Sequence, residues 1–190
     1  LISGMAEIIK HGLLADTDLL EKVEKGTWPL KTESLHTSYS ELQALVAQSI
    51  QVKISYVQKY PFDEGIRKQL NMGHTFAHAI EKVSSNTIRH GEAVAMGIAA
   101  ATDLSVRLGH CDEQLQHRID RVLKKVGLPN RIPDTLTPES IFEAMKRDKK
   151  RRAQSLRLVL LLRVGQVFVA DDIDSSDLLK TLEAMSSPVR

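Results

Sequence analysis

Between Arg67 and Glu81 the chain reads RKQLNMGHTFAHAIE, and its non-apolar residues are an unusual choice for a solvent face. At roughly 100° per residue, Arg67, Asn71, His74, His78 and Glu81 fall in one helical stripe about 80° wide. Met72, Phe76, Ile80 and Val83 fall on the opposite side, as a core requires. A solvated face usually carries Lys, Glu and Gln in loose order. This one carries a guanidinium, an amide, two imidazoles and a carboxylate, which together can bind an oxyanion, hold a metal and move a proton. The competing reading is an amphipathic helix whose polar side happens to hold two histidines.

Two further segments offer related chemistry. In AEIIKHG, Glu7 and Lys10 stand at i, i+3 and share a helical face, either as a surface ion pair or as part of a site. His90-Gly91-Glu92 precedes a long apolar run, where a histidine can cap the helix or serve as a ligand. His74 and His78, at i, i+4, have a spacing that can ligate one metal, although HxxxH alone is a weak signal. Two His and one Glu drawn from three segments make a His₂Glu set, an arrangement known for catalytic zinc with open positions.

The elements that must position these residues read as mostly helical. Ser3 is a candidate N-cap for a helix from Gly4 to about Leu14, closed near Asp16. A second helix starts between Ser34 and Ser40 and runs through Ala44, Val46, Ile50 and Ile54 to Val57. Pro61 and Gly65 punctuate the turn before the site helix. The segment from Glu92 to Leu108 opens with small and apolar residues lacking a polar face and reads as a buried central helix. Helices follow over Glu113 to Val126 and from Pro138 to about Lys146. The period then changes to that of strands over Leu156 to Val164 and Gln166 to Ala170, a hairpin turning at Gly165. Asp174 to Met185 closes the chain as a helix.

The composition narrows the class. At 190 residues and 42% hydrophobic content the chain suffices for one sizeable core. Aromatics are only 4%, so Leu, Ile, Val and Ala must fill that core, which favours packed helices over a β-sandwich. A net charge of +2 implies neither nucleic acid nor membrane. The single cysteine, Cys111, precludes an intramolecular disulfide and fits a reducing compartment, with a cytoplasmic location as the expectation. No 18-residue apolar run and no charged-then-apolar leader occur. There is no GxGxxG after a strand, hence no dinucleotide fingerprint. The start at Leu1, without Met and inside what reads as continuing structure, suggests a fragment of a longer protein. The run KRDKKRRAQSLR, Lys146 to Arg157, holds seven Lys or Arg in twelve residues. With no interleaved aromatic and no DNA-binding module around it, it reads as solvated, with one or two lysines reaching a substrate.

The ordered combination of AEIIKHG, DEGIRKQLNMGHTFAHAIE and HGEAVAMGI resembles the C-terminal domain of the 3-dehydroquinate synthase family. The likeness runs over nearly the whole chain, residues 1–190, ending with DKK and the RLVLLLRVG hairpin. It implies a mainly α, helical metal-binding domain with a small β-hairpin near its C-terminus, following an α/β NAD-binding domain that this chain lacks. By resemblance, Glu7, His74 and His90 are the metal ligands, with zinc as the usual ion and cobalt as a substitute. Lys10, Lys53, Arg67, Asn71 and a lysine of the Lys149-Lys150 pair meet the substrate's phosphate, carboxylate and hydroxyls. His78 is then a non-ligand that relays protons and contacts substrate. A homodimer is the implied assembly.

The implied reaction is part of the shikimate pathway to aromatic amino acids. It converts 3-deoxy-D-arabino-heptulosonate 7-phosphate to 3-dehydroquinate plus phosphate. NAD⁺ transiently oxidises a hydroxyl, phosphate is eliminated, the ketone is reduced, and ring opening precedes an intramolecular aldol closure. The residue inventory suits this, since Arg67 can grip a carboxylate or phosphate bidentately and fixed anchors hold one conformer for ring closure. Alone, the chain is expected to be inactive.

Three positions depart from the family pattern. Asp63 stands where a Glu is usual, Gln154 where a Gly follows Asp-Lys-Lys, and Ala77 where a second Gly is common. The Gln154 departure leaves Lys149 and Lys150 less sharply distinguished. His11, His36, His110 and His117 have no motif around them and are expected to be structural or exposed. Alternatives are another sugar-phosphate cyclase such as 2-deoxy-scyllo-inosose synthase, a metal-dependent polyol dehydrogenase, or a non-catalytic helical module. His78 and Asn71 argue against a valiolone-forming cyclase. The dehydrogenases lack the NMGHT and HGEAVAMG pair.

Overall fold

A computed structural model describes residues 2–26, 39–59, 65–152 and 156–186, the side chains of residues 148–152 excepted. Its elements are α1 (Ile2–Ala15), α2 (Thr17–Lys25), α3 (Tyr39–Lys59), a 3₁₀ helix (Gly65–Asn71), α4 (His74–Val83), α5 (His90–Arg107), α6 (Glu113–Lys125), α7 (Pro138–Arg152), strands β1 (Arg157–Arg163) and β2 (Gln166–Asp171), and α8 (Ser175–Ser186). The mainly helical class with a C-terminal hairpin is the one the sequence implies. Among the described residues no helix is long and apolar enough to cross a membrane.

The core forms around α5. Thirteen of its eighteen residues are buried, which makes it the central helix that its small, apolar composition predicts. Small side chains let neighbours approach closely. A Cβ on Gly97 would lie 2.1 Å from the Gly73 carbonyl oxygen, and one on Gly91 would lie 2.2 Å from Cα of Ser3. The two glycines therefore seat the start of α4 and the start of α1 directly on α5.

The stripe from Arg67 to Glu81 is not one helix. A 3₁₀ turn carries Arg67 and Asn71, and α4 begins only at His74. Between them Gly73 adopts φ 75°, the left-handed conformation that glycine takes without strain, at its contact with Gly97 and Ile98. Close packing against α5 outweighs continuity of the helical period. The apolar side behaves as expected, with Met72, Phe76 and Ile80 fully buried. Ala77 is buried as well, so a methyl group fits at this position.

Other boundaries shift for local reasons. Ser3 is not a cap. It lies inside the first turn of α1, where its backbone meets Gly91. Asp16 ends α1 and at once caps a helix that the sequence reading missed, its carboxylate accepting from the Leu19 amide at 3.0 Å. The signal for α2 was present in Asp16 followed by apolar Leu19, Leu20 and Val23, all buried. Helix α5 opens at His90, with Arg89 as N-cap, and Glu92 Oε2 accepts from the Arg89 amide at 3.1 Å. Helix α7 runs on through the basic stretch to Arg152, beyond the Lys146 expected. Asp63, Gln154, His36, Pro61 and the side chains of Lys149 and Lys150 lie outside the described residues.

The hairpin pairs Leu158 with Ala170 and Leu160 with Phe168 in antiparallel register, closing through Val164 and Gly165 (φ 80°). It braces the site. The Gly165 amide donates to the Leu13 carbonyl at 2.9 Å, Gln69 Nε2 to the Val167 carbonyl at 3.1 Å, and Thr75 Oγ1 to the Arg157 carbonyl at 3.1 Å. Helix α1, the 3₁₀ turn and α4 are thereby all tied to one sheet.

Candidate metal centre and anion cleft

Three helices bring one donor each to a single place. Glu7 of α1, His74 of α4 and His90 of α5 offer ligand atoms that all lie within 4.8 Å of one another. His74 Nδ1 is 3.1 Å from the Met72 carbonyl, which can only accept, so Nδ1 carries the hydrogen and Nε2 keeps its lone pair. That Nε2 faces Glu7 Oε1 at 3.6 Å. Glu7 Oε1 is itself buried without a hydrogen-bond partner, while Oε2 accepts from Lys10 Nζ at 2.7 Å.

Two lone pairs thus point at each other, and the Glu7 oxygen has no hydrogen-bond donor to relieve it. Burial, then the Lys10 ammonium, lowers the pKa of His74, so protonation is a poor remedy. Burial works to raise the Glu7 carboxyl, but Lys10, His74 and His11 together hold it below its ordinary value. A carboxylate and two imidazoles are a donor set suited to a divalent cation with open coordination positions. By donor chemistry and by the unsatisfied Oε1, the residues fit a metal.

Beside the donors opens a cleft of about 500 Å³ lined by Glu7, Lys10, His11, Lys53, Arg67, Leu70, Asn71, His74 and His90. Lys10 is 4% exposed, and burial lowers its pKa against the opposing pull of Glu7. The break at Gly73 does not scatter the predicted residues, since Arg67 and Asn71 of the 3₁₀ turn and His74 of α4 border the same cavity. His78 differs. It is exposed, stands edge-on to His74 with ring centroids 5.7 Å apart, and is not among the residues lining the cleft. Lys149 falls on α7, its side chain outside the described residues.

Two residues of the site escaped the sequence reading. His11, expected to be structural or exposed, is buried at the cleft wall, its Nδ1 2.7 Å from Ser49 Oγ and its Nε2 without a partner. Its signal was its place one residue after Lys10. Glu81 was grouped with the stripe but given no role. Its Oε1 lies 2.9 Å from His90 Nδ1.

Residues 4–151 match the family model of the 3-dehydroquinate synthase C-terminal region. The chain belongs to that family. Over 182 residues it is 38% identical to the 3-dehydroquinate synthase of Dehalococcoides mccartyi (strain CBDB1), covering 96% of this chain and 49% of that protein. Over 187 residues it is 36% identical to the 3-dehydroquinate synthase of Synechococcus sp. (strain ATCC 27144 / PCC 6301 / SAUG 1402/1), covering 98% and 50% respectively. The chain thus spans about half the length of the curated relatives it matches.

Solved cyclases share the fold. A 2-deoxy-scyllo-inosose synthase complexed with carbaglucose-6-phosphate, NAD⁺ and Co²⁺ superposes with a TM-score of 0.78 at 22% identity, over 97% of this chain and 52% of that one. The 2-epi-5-epi-valiolone synthase of Streptomyces hygroscopicus subsp. jinggangensis 5008, with NAD⁺ and Zn²⁺ bound, gives 0.77 at 21%, over 97% and 50%.

Proposed function

We propose that this chain is the metal- and substrate-binding part of a 3-dehydroquinate synthase, which converts 3-deoxy-D-arabino-heptulosonate 7-phosphate to 3-dehydroquinate and phosphate. The observation that carries the reading is the convergence of Glu7, His74 and His90 at the edge of a cleft walled by Lys10, Lys53 and Arg67. Family membership and the 36–38% identity to named 3-dehydroquinate synthases support it.

In this reading Glu7, His74 and His90 hold Zn²⁺ or Co²⁺. When bound, the metal acidifies a coordinated hydroxyl and polarises a carbonyl, and NAD⁺, held mainly by the half of the relatives that this chain does not span, exchanges hydride. Arg67 grips a carboxylate or phosphate through two parallel N–H donors, and Lys53 and Lys149 add point charges. Asn71 donates to and accepts from hydroxyls, which fixes the sugar's rotation about its chain. Lys10, desolvated and paired with Glu7, holds a hydroxyl or carboxylate oxygen beside the donors. His78, in the relay role, moves a proton from its exposed position beside His74. These anchors select one conformer of an open-chain intermediate, so ring closure becomes an intramolecular event between held groups. The same reading includes the shikimate pathway, a cytoplasmic location and a homodimer, which rest on the family alone.

The test is phosphate release from the heptulosonate phosphate. The 190-residue chain by itself should give none, and the chain joined to the N-terminal half of a relative should restore it. Full turnover by the chain alone would refute this division of labour. Turnover of a hexose 6-phosphate in place of the heptulosonate would move the assignment to a 2-deoxy-scyllo-inosose synthase.

A further inference from the structure

A carboxylate outside the donor set stands against one of its members. Glu81 lies on α4 seven residues after His74, hence on the same face of the helix, and its Oε1 is 2.9 Å from His90 Nδ1. The His90 side chain is 52% exposed and that of Glu81 only 18%. A half-solvated ring is therefore tethered by a mostly buried acceptor. His74, by contrast, is held by the Met72 carbonyl at the entry of its own helix. We propose that Glu81 is a positioning residue of the metal centre, which takes the Nδ1 hydrogen of His90 and thereby leaves His90 Nε2 as the donor toward Glu7 and His74.

The physical reason is twofold. An unrestrained exposed imidazole samples several rotamers and both tautomers, and only a fraction of these present a lone pair to the cation. A carboxylate on the far nitrogen fixes the ring and raises the basicity of the ligating nitrogen. The contact also joins α4 to α5 across the site, so two of the three donors are oriented by one helix. A plain surface ion pair would do none of this.

The inference rests on the metal-centre reading above, and the experiment separates the two. Zn²⁺ affinity is measured on the full chain by competition with a chromophoric chelator, for wild type, Glu81→Ala, Glu81→Gln, His90→Ala and the Glu81→Ala/His90→Ala double variant. Glu81→Ala should bind Zn²⁺ about 10–100-fold more weakly. Glu81→Gln should lose less, because an amide oxygen still accepts, and it carries the test if Glu81→Ala fails to fold. Adding Glu81→Ala to His90→Ala should cost nothing further. In the metal-free protein, ¹⁵N shifts of the His90 ring should report the Nδ1–H tautomer in wild type and a shift toward Nε2–H in Glu81→Ala, a change that a merely structural role would not produce. Wild-type affinity in both Glu81 variants, or an equal loss in the His90→Ala background, overturns the role of Glu81 and leaves the metal centre standing. A wild type that binds no Zn²⁺ overturns both.

Discussion

His74 and His78 sit one helical turn apart, yet only His74 faces Glu7, and this difference predicts different phenotypes. His74→Ala should strip the chain of Zn²⁺, whereas His78→Ala should retain it. In the activity-competent protein, His78→Ala should slow turnover by about 10²–10⁴-fold, the usual loss when a positioned proton-transfer group is removed. Metal content by elemental analysis of both variants decides the matter, and equal loss would mean that the pair chelates jointly. His11 offers a second test. Burial, then the neighbouring Lys10, pushes its pKa down to about 4. With the folded value below the ordinary 6.5, the fold favours the neutral ring. Its contribution to stability is intact above pH 6.5 and drains away as the pH falls toward 4. Between pH 7.5 and 5.0, metal-free wild type should lose about 2 kcal/mol more stability than His11→Gln. Urea unfolding at the two pH values measures this, and parallel slopes would show that His11 is solvated in the folded state.

The glycines of α5 act at the scale of whole elements. Alanine at position 97 would put a methyl group 2.1 Å from the Gly73 carbonyl, a backbone atom that cannot rotate away. Helices α4 and α5 must then separate, and His74 moves with α4. Gly97→Ala should cost about 1–3 kcal/mol, the usual penalty for overpacking, and should weaken Zn²⁺ binding as well. Gly91→Ala should do the same through Ser3 and α1, displacing Glu7. Alanine at Gly4, inside α1 and with no atom within 4 Å of its Cβ, is the control: it should leave Zn²⁺ binding unchanged and cost no stability, adding up to about 1 kcal/mol as alanine for glycine in a helix. Thermal unfolding and chelator competition on the three variants test the claim. Stable Gly97→Ala protein with full affinity would mean that the helices have slack which the close approach does not suggest.

For the molecule as a whole, the donors are contributed by residues 7, 74 and 90 on three separate helices. The unfolded chain cannot hold them together, so a metal that binds there stabilises the native state by mass action. At a free concentration 100 times the dissociation constant, Zn²⁺ should add about 2.7 kcal/mol. A chelator should reverse the gain, and His74→Ala should be indifferent to both. Calorimetric scans with and without Zn²⁺ check this, and an unfolding temperature unmoved by saturating Zn²⁺ would argue against a shared site.

Much of this was legible one segment at a time. The absence of a polar face on GEAVAMGIAAA made α5 central, and the strand-like runs on either side of Gly165 made the hairpin. Three ordered motifs carried the family and, by resemblance, the residues that converge in the fold. Local rules failed where packing overrides them. The helical period from Arg67 to Glu81 predicts one helix, but contact with α5 turns Gly73 to φ 75° and splits it. Ser3 has the chemistry of a cap, and Gly91 claims its backbone instead. Helix α2 was overlooked although Asp16 and its apolar spacing announced it. Periodicity could not separate His74 from His78, nor assign His11 and Glu81, because residues one turn apart look alike until a second helix is placed. The sequence by itself determined which residue types were available and the elements that carry them. Which imidazole meets Glu7, and which carboxylate steadies His90, was decided only when α1 and α4 packed against α5 at glycines that admit no side chain.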